Sequence, residues 1–268
     1  MKKYILITLI VLAITSLMIT ACQPAAAGEA PSKTEVPPSE PQTTPEAPAA
    51  EPTKPAEPVA PAEPMEVLLD PSMGINTEAA AYVYEGLSGI VDDQPGLVLA
   101  FQVTVSDDGL DYIVELLPGI TFHDGTPLNA DAVIANFNRW FDPEDALRGS
   151  GTYDAWVKNF GAFKGELDAD GKPKSNFDGI EKVDERTVLI HLNTPDAELL
   201  TKLADPAFAI ISPAALAAPG FGTEAGVDGG TGPYMIASLT ASGVTLEPYP
   251  DYWNPTVMPE SGIEVPFQ

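Results

Sequence analysis

LVLAFQVTVSDDGLDYIVELLPGITFHDGTPLNADAVIANFNRWF, residues 97–141, is the stretch whose reading decides the fold. Phe101, Val103 and Val105 alternate before Asp107-Asp108-Gly109, and Tyr112, Val114 and Leu116 alternate after it. Period-two alternation on both sides of an Asp-Gly turn predicts a β-hairpin. His123-Asp124-Gly125-Thr126-Pro127 is a second turn cluster. Asn129 follows as an N-cap, and Val133, Phe137, Trp140 and Phe141 recur at helical spacing. The stretch therefore reads as a small antiparallel unit with a helix packed beside it.

Downstream, residues 146–177 are rich in Gly, Lys and Asp, with Tyr153, Trp156, Phe160 and Phe163 spaced three to four apart. Two readings are open: a helix face in the core, or a cleft-lining role for Trp156. Asp178 to Leu192 predicts another hairpin. Thr194-Pro195-Asp196 starts a helix with Leu199, Leu200 and Leu203 inward. Pro206 to Pro213 predicts a buried apolar strand, and Ser212 caps a short helix that begins at Pro213. Gly229-Gly230-Thr231-Gly232-Pro233-Tyr234 predicts a sharp turn with positive φ angles before a strand. Val244 to Glu247 and Pro250-Asp251-Tyr252-Trp253 follow it. Upstream, Leu68-Leu69-Asp70-Pro71 opens the folded part. Ala80, Val83, Tyr84 and Leu87 share one face of a helix over 77–87.

Lys2 and Lys3 precede an apolar run, Tyr4 to Thr20, that is too short for a membrane span. It ends in Ile19-Thr20-Ala21-Cys22, which resembles the bacterial lipoprotein box. That resemblance implies a signal peptide over 1–21 and a lipid on Cys22. The alternative is an ordinary secretory signal with an incidental cysteine. Each buried lipid CH₂ contributes about 0.8 kcal/mol, so two or three acyl chains suffice as an anchor. Cys22 is the only cysteine, so no intramolecular disulfide is expected. Residues 22–64 are Pro, Ala, Glu and Thr with almost no large apolar side chain. Such a segment cannot offset its own ordering entropy, so a disordered, semi-rigid tether is expected there.

The net charge of −26 argues against nucleic acid and against electrostatic adhesion to anionic lipid. It favours a solubilised secreted surface; attraction of cationic solutes is the alternative reading. His123 invites a metal-ligand reading, but the chain has two histidines, far apart in sequence, and no metal site is expected. Asp107 and Asp108 are turn residues. No nucleophile elbow, P-loop or paired-cysteine motif occurs. No catalytic residue, cofactor or reaction is expected.

Several of these motifs, in order, resemble the extracellular solute-binding proteins of peptide- and nickel-type ABC importers. They are Asp70-Pro71, Tyr84-Glu85-Gly86-Leu87, Ser106-Asp107-Asp108-Gly109, Gly119 to Leu128, Asp131-Ala132-Val133, Thr231-Gly232-Pro233-Tyr234 and Tyr252-Trp253. Two departures stand out. The family's Gly-rich strand before this region is replaced by the acidic linker, and its Ala-Glu-Ser-Trp is reduced to Ala100-Phe101-Gln102. The resemblance implies a mixed α/β, periplasmic-binding-protein-like fold of type II. On this reading residues 65–268 form the first lobe: 65–96 and 178–268 are its main sheet and 97–177 an inserted subdomain. No residues remain for a second lobe. The implied function is capture of a peptide, metal complex or similar small solute for delivery to an ABC permease. The implied place is outside the bacterial cytoplasm, held to the membrane by the lipid alone. The implied cleft residues are Met73 and Asn76 in the loop after Asp70-Pro71, Trp156, and Phe208 beside the switch back into the main sheet. A surface scaffold lipoprotein that reuses the lobe, or a fragment of a longer binding protein, is the competing reading.

Overall fold

The computed structural model describes residues 66–225 and 227–267. The signal segment, Cys22 and the tether lie outside them. In chain order the elements are α1 (Thr77–Val83), β1 (Ser88–Val91), β2 (Gln94–Leu97), β3 (Ala100–Val105), β4 (Asp111–Leu116), α2 (Ala130–Phe141) and α3 (Asp154–Phe160). There follow β5 (Phe177–Asp184), β6 (Thr187–Leu192), α4 (Leu199–Lys202), α5 (Pro213–Ala217), β7 (Tyr234–Thr240), β8 (Gly243–Pro248) and β9 (Ile263–Pro266). The strands form three antiparallel sheets: β1-β2, β3-β4-β6-β5 and β7-β8-β9.

The Asp-Asp-Gly hairpin forms as expected, with Val103 opposite Val114 and Val105 opposite Tyr112. Tyr112, Val114 and Leu116 are buried. Phe101 is not: a register shift between Ala100 and Gln102 breaks the alternation, and the ring is 60% exposed. A bulge on an edge strand re-aims one side chain in this way. Asn129 caps α2 by accepting from Ala132 N at 2.9 Å, and Val133, Phe137 and Trp140 face the core. The β1-β2 hairpin has no glycine at its turn. Asp92 and Asp93 both take positive φ there, as the favoured two-residue turn requires.

The helix expected over 77–87 stops at Val83, because Tyr84 turns extended. Ala80, Val83, Tyr84 and Leu87 are all buried nonetheless. Tyr153, Trp156 and Phe160 are buried around α3, which decides the aromatic segment in favour of the core. The stretch after Pro206 is buried as expected but is no ladder strand. It is a 3-10 turn, Pro206–Phe208, then an extended run with one bridge, Ala209 to Gly86. Its polar groups are met one at a time. Ile210 N donates to Glu85 O at 2.8 Å, and Ser212 N to Gly229 O at 2.8 Å.

Two cores result. One joins the β3–β6 sheet to α2, α3 and Phe208; the other joins Leu68, Leu69, α1, Ala209 and Ile211 to β7 and β8. The division expected at 177/178 falls inside a single sheet. β4 precedes it and β6 follows it, yet they pair from Asp111–His191 to Glu115–Thr187. Packing therefore joins β5 and β6 to the segment before them.

Candidate functional site

Asp70 stands at the entrance of the loop that the sequence reading made ligand-facing. Its side chain accepts from Ser72 N at 3.0 Å and so caps the 3-10 turn Pro71–Met73. The carboxylate is fully buried and receives Arg139 Nη2 from the last turn of α2. Trp140, the next residue, donates Nε1 to Ser72 Oγ at 3.0 Å. One helix end thus grips both residues that flank Pro71. Burial holds the Asp70 carboxyl above its ordinary range, while Arg139 and the Ser72 amide pull the other way.

A cavity of about 290 Å³ opens beside this pair. Its walls include Asp70, Met73, Arg139, Leu147, Gly149 and Phe221. The Met73 side chain lies against two glycines. A Cβ on Gly149 would lie 2.6 Å from Met73 Cε, and one on Gly151 2.4 Å from Met73 Cγ. Met73 packs on the core that contains Trp156 and Phe208. Those two rings lie 6.3 Å apart, Trp156 stacks on Phe160 at 4.3 Å, and Trp140 meets Phe208 edge-on at 5.3 Å. Trp156 donates Nε1 to Ala162 O at 3.0 Å. Trp156 and Phe208 are 1% and 2% exposed.

The four expected cleft residues therefore separate. Met73 borders the cavity. Trp156 and Phe208 belong to the packed core on which it rests. Asn76 lines a different cavity of about 200 Å³, with Thr77, Val265 and Pro266, and donates Nδ2 to Leu68 O at 2.6 Å. The sequence reading did not find Asp70 and Arg139. The signal was present in α2, whose buried face carries the polar residues Asn136 and Arg139 among Val133, Phe137 and Trp140. A polar residue on an apolar helix face needs a buried partner.

A second polar centre ties the sequence motifs together. Glu85 Oε1 accepts from Tyr252 Oη at 2.7 Å, and Oε2 from Trp253 Nε1 at 2.8 Å and Thr231 Oγ1 at 3.0 Å. Burial raises the Glu85 carboxyl above its ordinary range; these three donors oppose that shift. Glu85 also borders a cavity of about 350 Å³ with Ile90, Val98 and Pro206. His123 places Nδ1 2.9 Å from Asp228 Oδ2 and Nε2 2.9 Å from Gly232 O, with the Tyr249 ring tilted against it at 4.5 Å between centroids. The glycines of the Thr-Gly-Pro-Tyr motif are explained by crowding. Neither Gly230 nor Gly232 has positive φ. A Cβ on Gly230 would stand 2.0 Å from Val83 O, and one on Gly232 2.7 Å from the same oxygen.

The architecture is part of a periplasmic-binding-protein-like fold, with antiparallel sheets packed on short helices. The sequence matches the bacterial extracellular solute-binding proteins, family 5, over residues 94–263, and the chain belongs to that family. Among curated relatives, the glutathione-binding protein GsiB of Pectobacterium atrosepticum is 35% identical over 187 residues, covering 69% of this chain and 32% of that protein. GsiB of Escherichia coli K12 is 37% identical over 185 residues, covering 68% and 31%. The chain thus spans about a third of the length of the curated relatives it matches. Among solved structures, NikA from Brucella suis in complex with Fe(III)-EDTA aligns with a TM-score of 0.56 at 25% identity, over 76% of this chain and 38% of that one. The substrate-binding domain of an oligopeptide ABC transporter from Bacillus anthracis aligns with a TM-score of 0.60 at 18% identity, over 76% and 40%. The latter likeness is one of fold.

Proposed function

We propose that this chain serves in a solute-binding lipoprotein of an ABC importer, which holds a small solute outside the membrane for a permease. The observation that supports it is the family match over residues 94–263. Relatives named for glutathione favour a peptide-class solute; a neighbour that holds Fe(III)-EDTA favours a metal complex. In this reading residues 1–21 are the signal, Cys22 carries the lipid, 22–64 are the tether and 65–268 the lobe.

The solute sits in the cavity bordered by Met73. Trp156 and Phe208 act from beneath by fixing the bed on which Met73 lies. Asn76 holds the far end of the same loop through Leu68 O. The Asp70–Arg139 pair is the rigid post of that loop, since each partner would be an uncompensated buried charge without the other.

Thermal melting of the full chain against short peptides including glutathione, nickel chelates and oligosaccharides tests the reading. Binding to the folded state raises the midpoint. A saturable rise with one class supports solute capture, and a cooperative melt that no class shifts contradicts it. For the anchor, Cys22→Ala moves the protein from the membrane fraction to the soluble one. A variant that stays in the membrane fraction rules out the lipid on Cys22.

A further inference from the structure

Arg139 meets its neighbours with two of its three guanidinium nitrogens. Nη2 donates to Asp70 Oδ2, and Nη1 to Ser72 Oγ at 3.4 Å. Nε is buried and has no hydrogen-bond partner among the described residues. The side chain is 1% exposed, so bulk water does not stand in for the missing acceptor. Buried donors are nearly always paired, and each exception calls for a reason. Tyr84 Oη is the other such atom among the described residues, on a residue that lines the separate cavity of Glu85.

Arg139 belongs to the wall of the Met73 cavity, together with Asp70 and Phe221. The Phe221 ring lies 6.0 Å from the guanidinium carbon, and the Tyr153 ring, a member of the core, lies 5.5 Å from it. The guanidinium thus meets one ring of the core and one of the cavity wall. Cation–π contacts at that range hold the group without using an N–H. The Tyr153 hydroxyl acts on the guanidinium but makes no hydrogen bond to Nε, and its own proton goes to Arg148 O. The charge of Arg139 is already met, since Asp70 sits fully buried against Nη2. What remains is one N–H donor at a cavity whose apolar walls are Met73, Leu147, Leu216 and Phe221.

We propose that Arg139 Nε is the donor for a neutral carbonyl oxygen of the bound solute, of the kind an amide carries. This inference rests on the solute-binding reading and gives its ligand a chemical class. A guanidinium has N–H donors and no acceptor, so the solute must bring the acceptor. A carboxylate is the poorer match. It would enter a desolvated site beside the Asp70 carboxylate, which has already taken up the guanidinium charge. An amide oxygen accepts the N–H without adding a charge. One side chain then does two things: Nη2 holds the loop through Asp70, and Nε reads the solute.

The test is a titration of the full chain, labelled with ¹⁵N-arginine, with N-methylacetamide and separately with sodium acetate, sodium chloride serving as the salt control. Three arginines give three Nε–Hε signals; Arg148→Lys and Arg186→Lys each delete one, which assigns the third to Arg139. The expected result is a saturable shift of the Arg139 signal with N-methylacetamide, a weaker one with acetate, and unmoved signals from Arg148 and Arg186. Arg139→Lys keeps a cation for Asp70 but has no Nε–H. Its affinity for N-methylacetamide, read on the Met73 methyl, should fall roughly tenfold, the worth of one hydrogen bond to a charged group. An Arg139 signal that N-methylacetamide leaves in place, as an internal water on Nε would leave it, overturns the proposal. So does an acetate response as strong as that of the amide, or a lysine variant of unchanged affinity. Should Arg139→Lys fail to fold, the wild-type spectrum decides alone. A solute that raises the melting midpoint and moves the Met73 methyl while the Arg139 signal stays silent removes this inference and leaves solute capture standing.

Discussion

Asn136 and Ile211 exchange two hydrogen bonds across the core: Asn136 Nδ2 donates to Ile211 O at 2.7 Å, and Ile211 N donates to Asn136 Oδ1 at 3.1 Å. A side-chain amide on α2 here stands in for a neighbouring strand. Asn136→Leu leaves both backbone groups of Ile211 buried without partners, at a cost of about 1–3 kcal/mol each. Asn136→Asp keeps the acceptor but sets a buried, unpaired carboxylate against the carbonyls of Ile211 and Ala132, so it should lose at least as much. Urea denaturation of the three proteins checks the order; equal stability of Asn136→Leu and wild type would contradict it.

The Asp70–Arg139 pair predicts a non-additive cycle. Asp70→Leu or Arg139→Met alone strands one buried charge or its partners and should cost about 3–5 kcal/mol. The pair of substitutions together, as Asp70→Leu with Arg139→Met, should cost clearly less than the sum of the singles. Chemical denaturation of all the variants measures the coupling, and strict additivity would show that the two side chains do not act as a unit.

Glu85 sets a pH dependence whose sign can be worked out. Its carboxyl is raised above the ordinary 4.5 by burial. A raised carboxyl favours the fold most where it is protonated, and that contribution is lost as pH rises from about 4.5 through the folded value. Glu85→Gln does not titrate. The stability advantage of wild type over Glu85→Gln should therefore be largest at acid pH and shrink as the pH rises. A difference that stays flat between pH 4 and 7, or grows upward, contradicts the burial argument.

Gly230 and Gly232 test steric crowding against turn conformation. Their Cβ atoms would press on the backbone oxygen of Val83, so Gly230→Ala should cost about 1–3 kcal/mol or more by forcing α1 to shift. Gly119→Ala, where nothing lies within 4 Å but φ is +78°, should show only the smaller cost of positive φ. Thermal melts of the two variants side by side decide which cause dominates.

The two hairpins, α2 with its Asn129 cap, and α5 with its Ser212 cap were legible because each rests on local periodicity and local turn chemistry. The stretch 206–213 was misread as a strand because a buried apolar run has the same composition whether it pairs in a ladder or is met group by group by Asn136, Glu85 and Gly229. The Asp70–Arg139 pair joins residues 69 apart, and no spacing rule encodes such a contact. The helical spacing of Tyr153, Trp156 and Phe160 showed a common face and left a core and a cleft reading open; burial of Trp156 selects the core. The bulge that exposes Phe101 is a one-residue slip, which alternation alone cannot register.

The central claim is that a solute binds at the cavity bordered by Met73. Its most direct test is the methyl spectrum of the full chain labelled with ¹³C at its six methionine methyls, with and without the solute class that raises the melting midpoint. The account predicts that the Met73 methyl, packed in the notch of Gly149 and Gly151, shifts saturably with solute, while Met235 and Met258 stay in place. Binding that leaves the Met73 methyl unmoved would contradict it.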